Sequence, residues 1–281
     1  MSSMTDLHDD ELAALGHLNR WEFERALARW SGTRGSVVER DGVLSWSSAS
    51  DFPVLLNGAA VLDPQVEPTE AVRVAIERID ALGRGFCMPL RDRDPSDEAV
   101  RSAALDEGLV ALSGAPEMAV TAPVEDRATG DGVELRWLDD GSAAGSGTAE
   151  VSVDDFVAVS DSAYQSLGMP AGTLHAAVTA PHLIDVPGTT VVLALVDGTP
   201  AGAAMGLLSH GIAGVYFVGT LEAARGRGVG DLVTRAVTNR AFDEGARAVT
   251  LQASSMGEAI YQRMGYRELY RYTTYVRFPS A

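Results

Sequence analysis

Three glycines alternate with other residues at one point of the chain, Gly226, Gly228 and Gly230, and an amphipathic segment follows them. Glycine lets backbone N–H groups approach a ligand without interference from a Cβ atom. The free amides at the start of a helix bind anions, and the helix dipole favours negative charge there. Arg225 and Arg227 add positive charge at the same place. This glycine loop therefore predicts a site for a diphosphate group.

Two familiar patterns for such a site do not fit the chain. A P-loop needs a lysine, but the sequence has none and all 22 basic residues are arginine. A Rossmann site needs a third glycine three residues after Gly230, but Val233 stands there. It also needs a strand with an acidic ribose ligand about 20 residues further on, which the sequence lacks. An enzyme that uses a nicotinamide dinucleotide is a remote alternative. Such an enzyme would bind NAD(H), and free CoA would not displace it.

The spacing of Arg225, Gly228 and Gly230 instead resembles a known signature, Arg/Gln-x-x-Gly-x-Gly/Ala. It is the signature of the GNAT superfamily of acyl-CoA-dependent N-acetyltransferases, where it lies between the fourth strand and the third helix. A second segment, residues 251–266, is similar to the strand and helix that end in Tyr-x-x-x-Gly-Phe/Tyr in that family. Tyr261 and Gly265 with the tyrosine after it occupy those positions. The resemblance covers about residues 133–281.

The resemblance implies a reaction, a co-substrate and site residues. An amine of a small molecule or peptide would attack the thioester of acetyl-CoA directly in a ternary complex, with Tyr261 as general acid near the sulfur. Relatives often carry asparagine seven residues before that tyrosine, and this chain departs from them with Ser254. The residues expected to bind acetyl-CoA are Val218, Gly219, Thr220, Arg225, Gly226, Arg227, Gly228, Val229, Gly230, Asp231 and Ser254.

The chemistry needs three things from these residues. A free alkyl amine has a pKa of about 10 and must lose its proton before it attacks. The oxygen that gains negative charge needs an N–H donor, for which backbone around Val218 is the candidate, with Gly219 at a strand bulge. The leaving thiolate needs a proton, for which Tyr261 is the candidate. Glu222 is the acid nearest to the motif and the candidate general base, since residues 211–221 contain no carboxylate.

Each of these roles has a structural alternative. Glu222 could be an ordinary solvated loop acid, Tyr261 a half-buried core tyrosine, and Gly219 a glycine that only permits tight packing. A protein that keeps the glycine loop without a working base and acid would be a non-catalytic acyl-CoA-binding regulatory protein, and this is the alternative function. Thiol release from acetyl-CoA with a panel of amines separates the two.

Composition excludes several other classes. The net charge of −17 argues against broad nucleic-acid binding. Cys87 is the sole cysteine, which excludes an intrachain disulfide, and His175, His182 and His210 have no metal-site spacing, so no metal is expected. Apolar runs such as Val191 to Val196 are far shorter than the ~20 residues of a membrane span, and the acidic start lacks a signal-peptide pattern. The sequence predicts a cytoplasmic protein without membrane association.

The pattern of elements predicts a mixed α/β fold with two GNAT-like units, each a twisted mixed β-sheet flanked by helices. Strand–turn–strand signals occur at Asp41-Gly42 and again at Asp197-Gly198. The offset between these turns resembles that between helix-ending glycines in the two halves, which indicates a duplication, although α/β chains also alternate in this way without one. We expect a degenerate GNAT-like domain over residues 1–125 and a GNAT acetyltransferase domain over residues 132–281.

The first half resembles the family only in element order. Its counterpart of the glycine loop, Asp63 to Ala71, has no glycine, two prolines and three acids, and would repel a pyrophosphate. Ala104 or a neighbouring alanine stands where Tyr261 would correspond. We therefore expect the second half to be the active one. The family resemblance also makes a homodimer one candidate assembly.

Overall fold

The computed structural model describes residues 7–92, 94–138, 151–178 and 183–279. The chain forms two compact units. The first consists of the described residues of Met1–Phe23, Glu117–Ala171 and Leu183–Leu269, and the second of those of Glu24–Pro116, Gly172–His182 and Tyr270–Ala281. Each unit takes segments from distant parts of the sequence, so the units and the predicted halves divide the chain differently.

Helices and strands alternate along the described chain, and the predicted mixed α/β class is confirmed. The helices are α1 (Asp9–Trp30), α2 (Pro68–Asp80), α3 (Pro95–Asp106), α4 (Val153–Gln165), α5 (Thr173–Ala177), α6 (Val229–Asp243) and α7 (Glu258–Met264). The strands are β1 (Ser36–Arg40), β2 (Val43–Ser47), β3 (Asn57–Val61), β4 (Phe86–Arg91), β5 (Val110–Val120), β6 (Val133–Trp137), β7 (Thr189–Val196), β8 (Thr199–Ser209), β9 (Ile212–Thr220), β10 (Val249–Gln252) and β11 (Arg267–Arg277). None of the described helices combines the length and the apolar character that crossing a membrane requires.

In the first unit, strands β6 to β9 pair antiparallel in chain order. Strand β9 then pairs parallel with β10, and β10 pairs antiparallel with the end of β5. Helix α6 packs on β7, β8 and β9, and α4 packs on β8 and β9. A methyl group on Gly219 would meet Ala163 of α4, whereas one on Gly230 of α6 would meet Thr220. Because successive strand residues face opposite sides, α4 and α6 cover opposite faces of this sheet.

The second unit repeats that order of strand pairings with one antiparallel strand fewer at its start. Strands β1, β2 and β3 pair antiparallel, β3 pairs parallel with β4, and β4 pairs antiparallel with β11. Helix α2 packs on β2 and β3, and α3 packs on α2 and β4. The last strand of each pairing order comes from the other half of the sequence, since β5 joins β10 and β11 joins β4.

Each unit has an apolar core of its own. Helix α6 contributes Val229, Leu232, Val233 and Val237 to the core of the first unit, in agreement with the amphipathic segment predicted after the glycines. The core of the second unit lies between α2, α3 and its strands and includes Ile79 and Phe86. Burying these side chains supplies the main favourable free energy of folding.

Turn chemistry explains where several elements begin and end. Asp41-Gly42 and Asp197-Gly198 both have positive φ at their two residues, as two-residue hairpins of type I′ require, so both predicted hairpins are confirmed. Gly245 ends α6 and Gly265 ends α7, with φ of 92° and 102° in the left-handed region that glycine adopts without strain. Ser152 and Asp155 form a capping box at the start of α4.

Candidate active site

A cavity of about 620 Å³ lies in the first unit where β9, α4, α6 and α7 meet. Its walls come from the end of β9, the loop that leads into α6, the C-terminal part of α4 and the start of α7. The lining residues are Arg127, Ala163, Tyr164, Ser166, Leu167, Val218, Gly219, Thr220, Ala224, Arg225, Gly226, Gly228, Val229, Gly230, Asp231, Arg235, Ser254, Met256, Gly257, Ile260, Tyr261 and Arg263. The cavity therefore collects most of the residues expected to bind acetyl-CoA, together with Tyr261.

The glycine loop forms the start of α6 in this cavity. Gly226 and Gly228 both have φ of 77°, a backbone conformation that costs other residues strain. Gly228 is the N-cap of α6, and no side chain caps the helix. The amides of the first turn have no acceptor within the helix itself, so they are available to an anion in the cavity.

Strand β9 ends with backbone that β10 does not pair. The parallel register of the two strands runs from Ala213–Val249 to Val215–Leu251, while β9 continues to Thr220. On its other edge β9 remains paired with β8 as far as Thr220. The N–H and C=O groups of residues 218–220 that point away from β8 thus border an open slot along the cavity wall, and an extended ligand with amide groups can bind there.

The predicted bulge exists, but its position at Gly219 was wrong. The register of β8 with β9 shifts between Ala203 and Met205, where Phe217 and Val218 of β9 lie opposite the single residue Ala204 of β8. Phe217 has φ of 50°. Gly219 serves tight packing instead, because a Cβ there would lie 2.9 Å from the Cβ of Ala163.

Buried aromatic contacts explain why a phenylalanine adopts this conformation. The ring of Phe217 lies 5.5 Å from Tyr164, 5.8 Å from Phe23 and 6.2 Å from Phe156, measured between ring centroids. These contacts bury the side chain almost completely and offset the cost of the positive φ. The resulting bulge turns Val218 into the cavity.

The charged residues that line the cavity make it positive. They are four arginines, Arg127, Arg225, Arg235 and Arg263, and one carboxylate, Asp231, which together give a net charge of +3. The whole chain carries −17, so positive charge is concentrated here against the overall balance. Asp231 is engaged by two of these arginines: Nη1 of Arg127 donates to it at 2.8 Å and Nε of Arg235 at 3.2 Å. The cavity therefore favours an anionic ligand.

Two predicted site residues do not line this cavity. Glu222 is exposed in the 3₁₀ turn Glu222–Ala224. Arg227 is exposed as well and turns towards Asp131 and Asp197, with Nη2 3.3 Å from the Asp131 carbonyl oxygen. The structure thus brings neither the candidate general base nor the second loop arginine to the cavity.

Tyr261 lies in the cavity wall with 8% of its surface exposed. Burial raises the pKa of its phenol to about 12, while a hydrogen bond with Thr234 acts in the opposite direction. The phenol is therefore protonated at neutral pH and can act as a proton donor. Ser254 also lines the cavity and accepts a hydrogen bond from the Gly257 N–H at 3.3 Å.

Sequence reasoning missed several polar residues of the cavity, among them Tyr164 and Arg127. Tyr164 projects from α4 beside Tyr261, and burial followed by that neighbouring phenol raises its pKa above the ordinary tyrosine value. Arg127 comes from the segment between β5 and β6. Helical spacing on α4 marks an inward face but not which strand it covers, and nothing local to Arg127 indicates the glycine loop 100 residues away.

Several tryptophans, Cys87 and two histidines of the described chain do not line this cavity. Trp21, Trp30 and Trp46 are core residues, and Cys87 is buried. His175 and His210 are exposed, and His182 lies outside the described residues. Within the described ranges, no cluster of histidine, cysteine and acidic residues could hold a metal ion.

A mixed sheet with an open slot beside an uncapped, glycine-led helix is the arrangement that the sequence resemblance predicts. In agreement, residues 175–263 match the family model "Acetyltransferase (GNAT) domain". None of the curated proteins matches the chain in sequence.

Solved structures share the fold at low identity. A GCN5-related N-acetyltransferase from Kribbella flavida superposes with a TM-score of 0.65 and 20% identity, over 92% of this chain and 95% of that one. One from Sphaerobacter thermophilus gives 0.55 and 19%, over 88% and 76%. A tandem GNAT protein from the clavulanic acid biosynthesis pathway gives 0.54 and 13%, over 98% of both chains. Residues 175–263 are thus similar to a GNAT acetyltransferase domain, and the chain has the fold of GCN5-related N-acetyltransferases.

Proposed function

We propose that the protein is an acetyl-CoA-dependent N-acetyltransferase that transfers an acetyl group to a primary amine of a small molecule or peptide. The observation that carries this proposal is one cavity lined by both the glycine loop of α6 and the phenol of Tyr261. The family to which the domain belongs uses acetyl-CoA and amine acceptors in general. The Val218–Thr220 slot joins the loop to the phenol in the same wall.

The residues present fit the phosphates and the pantetheine arm of acetyl-CoA. The uncapped amides of residues 228–230 and the arginine side chains suit a pyrophosphate, because N–H donors and positive charge converge on one point. The backbone of Val218 and Thr220 suits the amides of pantetheine. Arg225 is positioned by a hydrogen bond from Nη2 to Oγ of Ser166 at 3.0 Å, which keeps its charge beside the loop.

The reaction requires that a neutral amine attack the thioester carbon while the C–S bond breaks. We assign proton donation to the departing sulfur to Tyr261, because its phenol keeps its proton at neutral pH. The backbone N–H of Val218 is the candidate donor to the carbonyl oxygen. Glu222 is exposed outside the cavity, so the amine proton is assigned to solvent water rather than to that residue.

A non-catalytic acyl-CoA-binding protein is the second candidate function, and one observation favours it. Among the residues that line the cavity, Asp231 is the sole carboxylate, and two arginines engage it. The cavity thus lacks an evident side-chain base. A binding protein would retain CoA affinity without thiol release.

We also propose that the two units arose by duplication and that the second unit has lost the phosphate site. The shared order of strand pairings supports the duplication. At the start of α2, the side chain of Glu67 accepts a hydrogen bond from the Glu70 N–H at 2.9 Å. A carboxylate therefore already occupies the helix N-terminus at the place that corresponds to the open loop before α6.

Release of free thiol from acetyl-CoA in the presence of a panel of amines tests the enzyme proposal. We expect thiol release that depends on both the protein and a particular amine class. Calorimetry with CoA runs in parallel. Binding without thiol release from any amine would favour the regulatory alternative, and absence of CoA binding would contradict both.

A further inference from the structure

Arg127 lies in the segment between β5 and β6, outside residues 175–263 that match the family model and outside the Arg-x-x-Gly-x-Gly motif. We infer that Arg127 binds a phosphate group of acyl-CoA, an inference that rests on the proposed function. It adds a ligand-binding residue that the glycine motif does not contain.

The guanidinium of Arg127 lies directly over the glycine loop. A methyl group on Gly228 would come within 2.6 Å of Nη2, 2.8 Å of Cζ and 3.1 Å of Nη1 of Arg127. Gly228 is the N-cap of α6, so the guanidinium and the first amides of the helix border the same space. A phosphate bound by those amides would lie within reach of the guanidinium.

The segment that carries Arg127 is attached to α6 by hydrogen bonds in both directions. Oδ1 of Asn239 accepts from the Val124 N–H at 2.9 Å, and its Nδ2 donates to the Val124 carbonyl oxygen at 3.0 Å. Nη1 of Arg235 donates to the carbonyl oxygen of Glu125 at 2.6 Å. These bonds hold the backbone two and three residues before Arg127, which limits the entropy lost when its side chain binds a ligand.

Asp231 orients the guanidinium without using all of its donors. It accepts from Nη1 of Arg127, while the side chain of Arg127 remains 52% exposed. A guanidinium has five N–H donors, so the nitrogens over Gly228 can donate to phosphate oxygens while the bond to Asp231 persists. Arg235 also pairs with Asp231 and so shares its negative charge.

Calorimetric titration with two ligands, CoA and 3′-dephospho-CoA, tests this role. The variants are Arg127→Ala, Arg127→Lys and the control Arg247→Ala. Arg247 is also an exposed arginine paired with a carboxylate, Glu11, and it does not line the cavity. The melting temperature of each variant is measured alongside.

We expect Arg127→Ala to weaken CoA binding by about tenfold, the loss of one charge-assisted contact to phosphate. Arg127→Lys should recover part of this loss because the charge remains, and Arg247→Ala should stay within twofold of wild type. If the penalty disappears with 3′-dephospho-CoA, the 3′-phosphate is the partner. If the loss of affinity is the same with both ligands, the pyrophosphate is the partner of Arg127.

Two results would overturn the inference while leaving the proposed function intact: wild-type CoA affinity in Arg127→Ala, or an Arg127→Lys variant as weak as Arg127→Ala, since that would indicate a steric role. Failure of the wild-type protein to bind CoA would instead contradict the proposed function and this inference with it.

Discussion

Two buried tyrosines of the first unit, Tyr261 and Tyr266, differ in whether they line the cavity, so their variants can distinguish a catalytic effect from an effect on stability. The rings of Tyr261 and Tyr266 lie 6.1 Å apart, and burial raises the pKa of both phenols. The hydroxyl of Tyr266 lies 2.7 Å from Oγ1 of Thr238 and does not line the cavity, whereas Tyr261 does. The pair therefore supplies a candidate acid and a matched control.

Replacing Tyr261 by phenylalanine should lower turnover by about 100-fold, the lower end of what a positioned proton donor contributes. CoA affinity should stay within a few-fold, because the phosphate contacts remain. Steady-state thiol release and calorimetry measure the two effects. Tyr266→Phe should lower the melting temperature but leave turnover unchanged, and equal turnover in both variants would remove the acid role from Tyr261.

Glu117 is a second buried titratable group, on β5. Burial raises its pKa to about 7, against the opposing effects of the Arg20 charge on α1 and a hydrogen bond with Thr250 on β10. Since the folded state then binds the proton more tightly than the unfolded state, this stabilisation is complete below a pH of 4.5 and is lost as the pH rises towards 7.

Urea unfolding at pH 5 and pH 8 measures this linkage. The free energy of unfolding should fall over this interval, with Glu117 contributing at most about 3 kcal/mol. Glu117→Gln should remove that part of the decrease, while Glu134→Gln, at an exposed position, should retain it. An identical pH dependence in the wild type and Glu117→Gln would show that Glu117 titrates normally in the fold.

The site residues that could be predicted from the sequence are those that belong to a short sequence motif. The glycine loop, Ser254 and Tyr261 belong to short motifs whose spacing determines their neighbours, and the structure places them in one cavity. Glu222 is near the motif in sequence but points into solvent, because proximity along a chain does not determine side-chain direction. Arg127 and Tyr164 reach the cavity through tertiary packing, which leaves no periodicity in the sequence.

At the scale of elements, the glycines at the two ends of α6 allow the effect of backbone strain to be distinguished from an effect on ligand binding. Gly228 and Gly245 both have positive φ, at 77° and 92°. A methyl group on Gly228 would meet the guanidinium of Arg127, whereas one on Gly245 would meet nothing within 4 Å. Both substitutions strain the backbone, but only the first enters the cavity.

Alanine at either position should cost about 1 kcal/mol of folding stability, the penalty of a left-handed conformation for a residue with a Cβ atom. Gly228→Ala should also weaken CoA binding by more than tenfold, because it displaces Arg127 and crowds the amides. Gly245→Ala should bind CoA as the wild type does. Chemical denaturation and calorimetry give both quantities, and unaltered CoA affinity in Gly228→Ala would contradict the assigned phosphate site.

The bulge in β9 shows where element-level prediction ends. The sequence analysis predicted a strand bulge at Gly219, because glycine tolerates such an irregularity at least cost. Strand β9 runs from Ile212 to Thr220 and contains the bulge. The surrounding aromatic rings stabilise positive φ at Phe217 instead, and such a contact becomes visible only once α1 and α4 are packed against the strand.

At the scale of the whole chain, the pattern of elements and the turn residues were sufficient for the fold class and for both hairpin turns. They could not give the strand partners, because β5 and β11 look like ordinary final strands of their own halves. The pairing of β5 with β10 and of β11 with β4 depends on contacts over more than 100 residues of sequence. Local patterns carry no information about such partners.

Hydrogen exchange across the whole chain should locate CoA binding in the first unit. Saturating CoA should slow exchange in residues 121–131, 218–235 and 254–264. Residues 63–71 should exchange at an unchanged rate, because the Glu67 carboxylate already caps α2. Protection of residues 63–71 comparable to that of the glycine loop would show that the second unit has kept a phosphate site.

A crystal structure of the protein with acetyl-CoA or CoA bound is the most direct measurement of the central claim. We predict the pyrophosphate against the amides of residues 226–231, the pantetheine arm along Val218–Thr220, and the sulfur close enough to the Tyr261 hydroxyl for a hydrogen bond. A CoA molecule bound elsewhere, or a sulfur remote from that hydroxyl, would contradict the account.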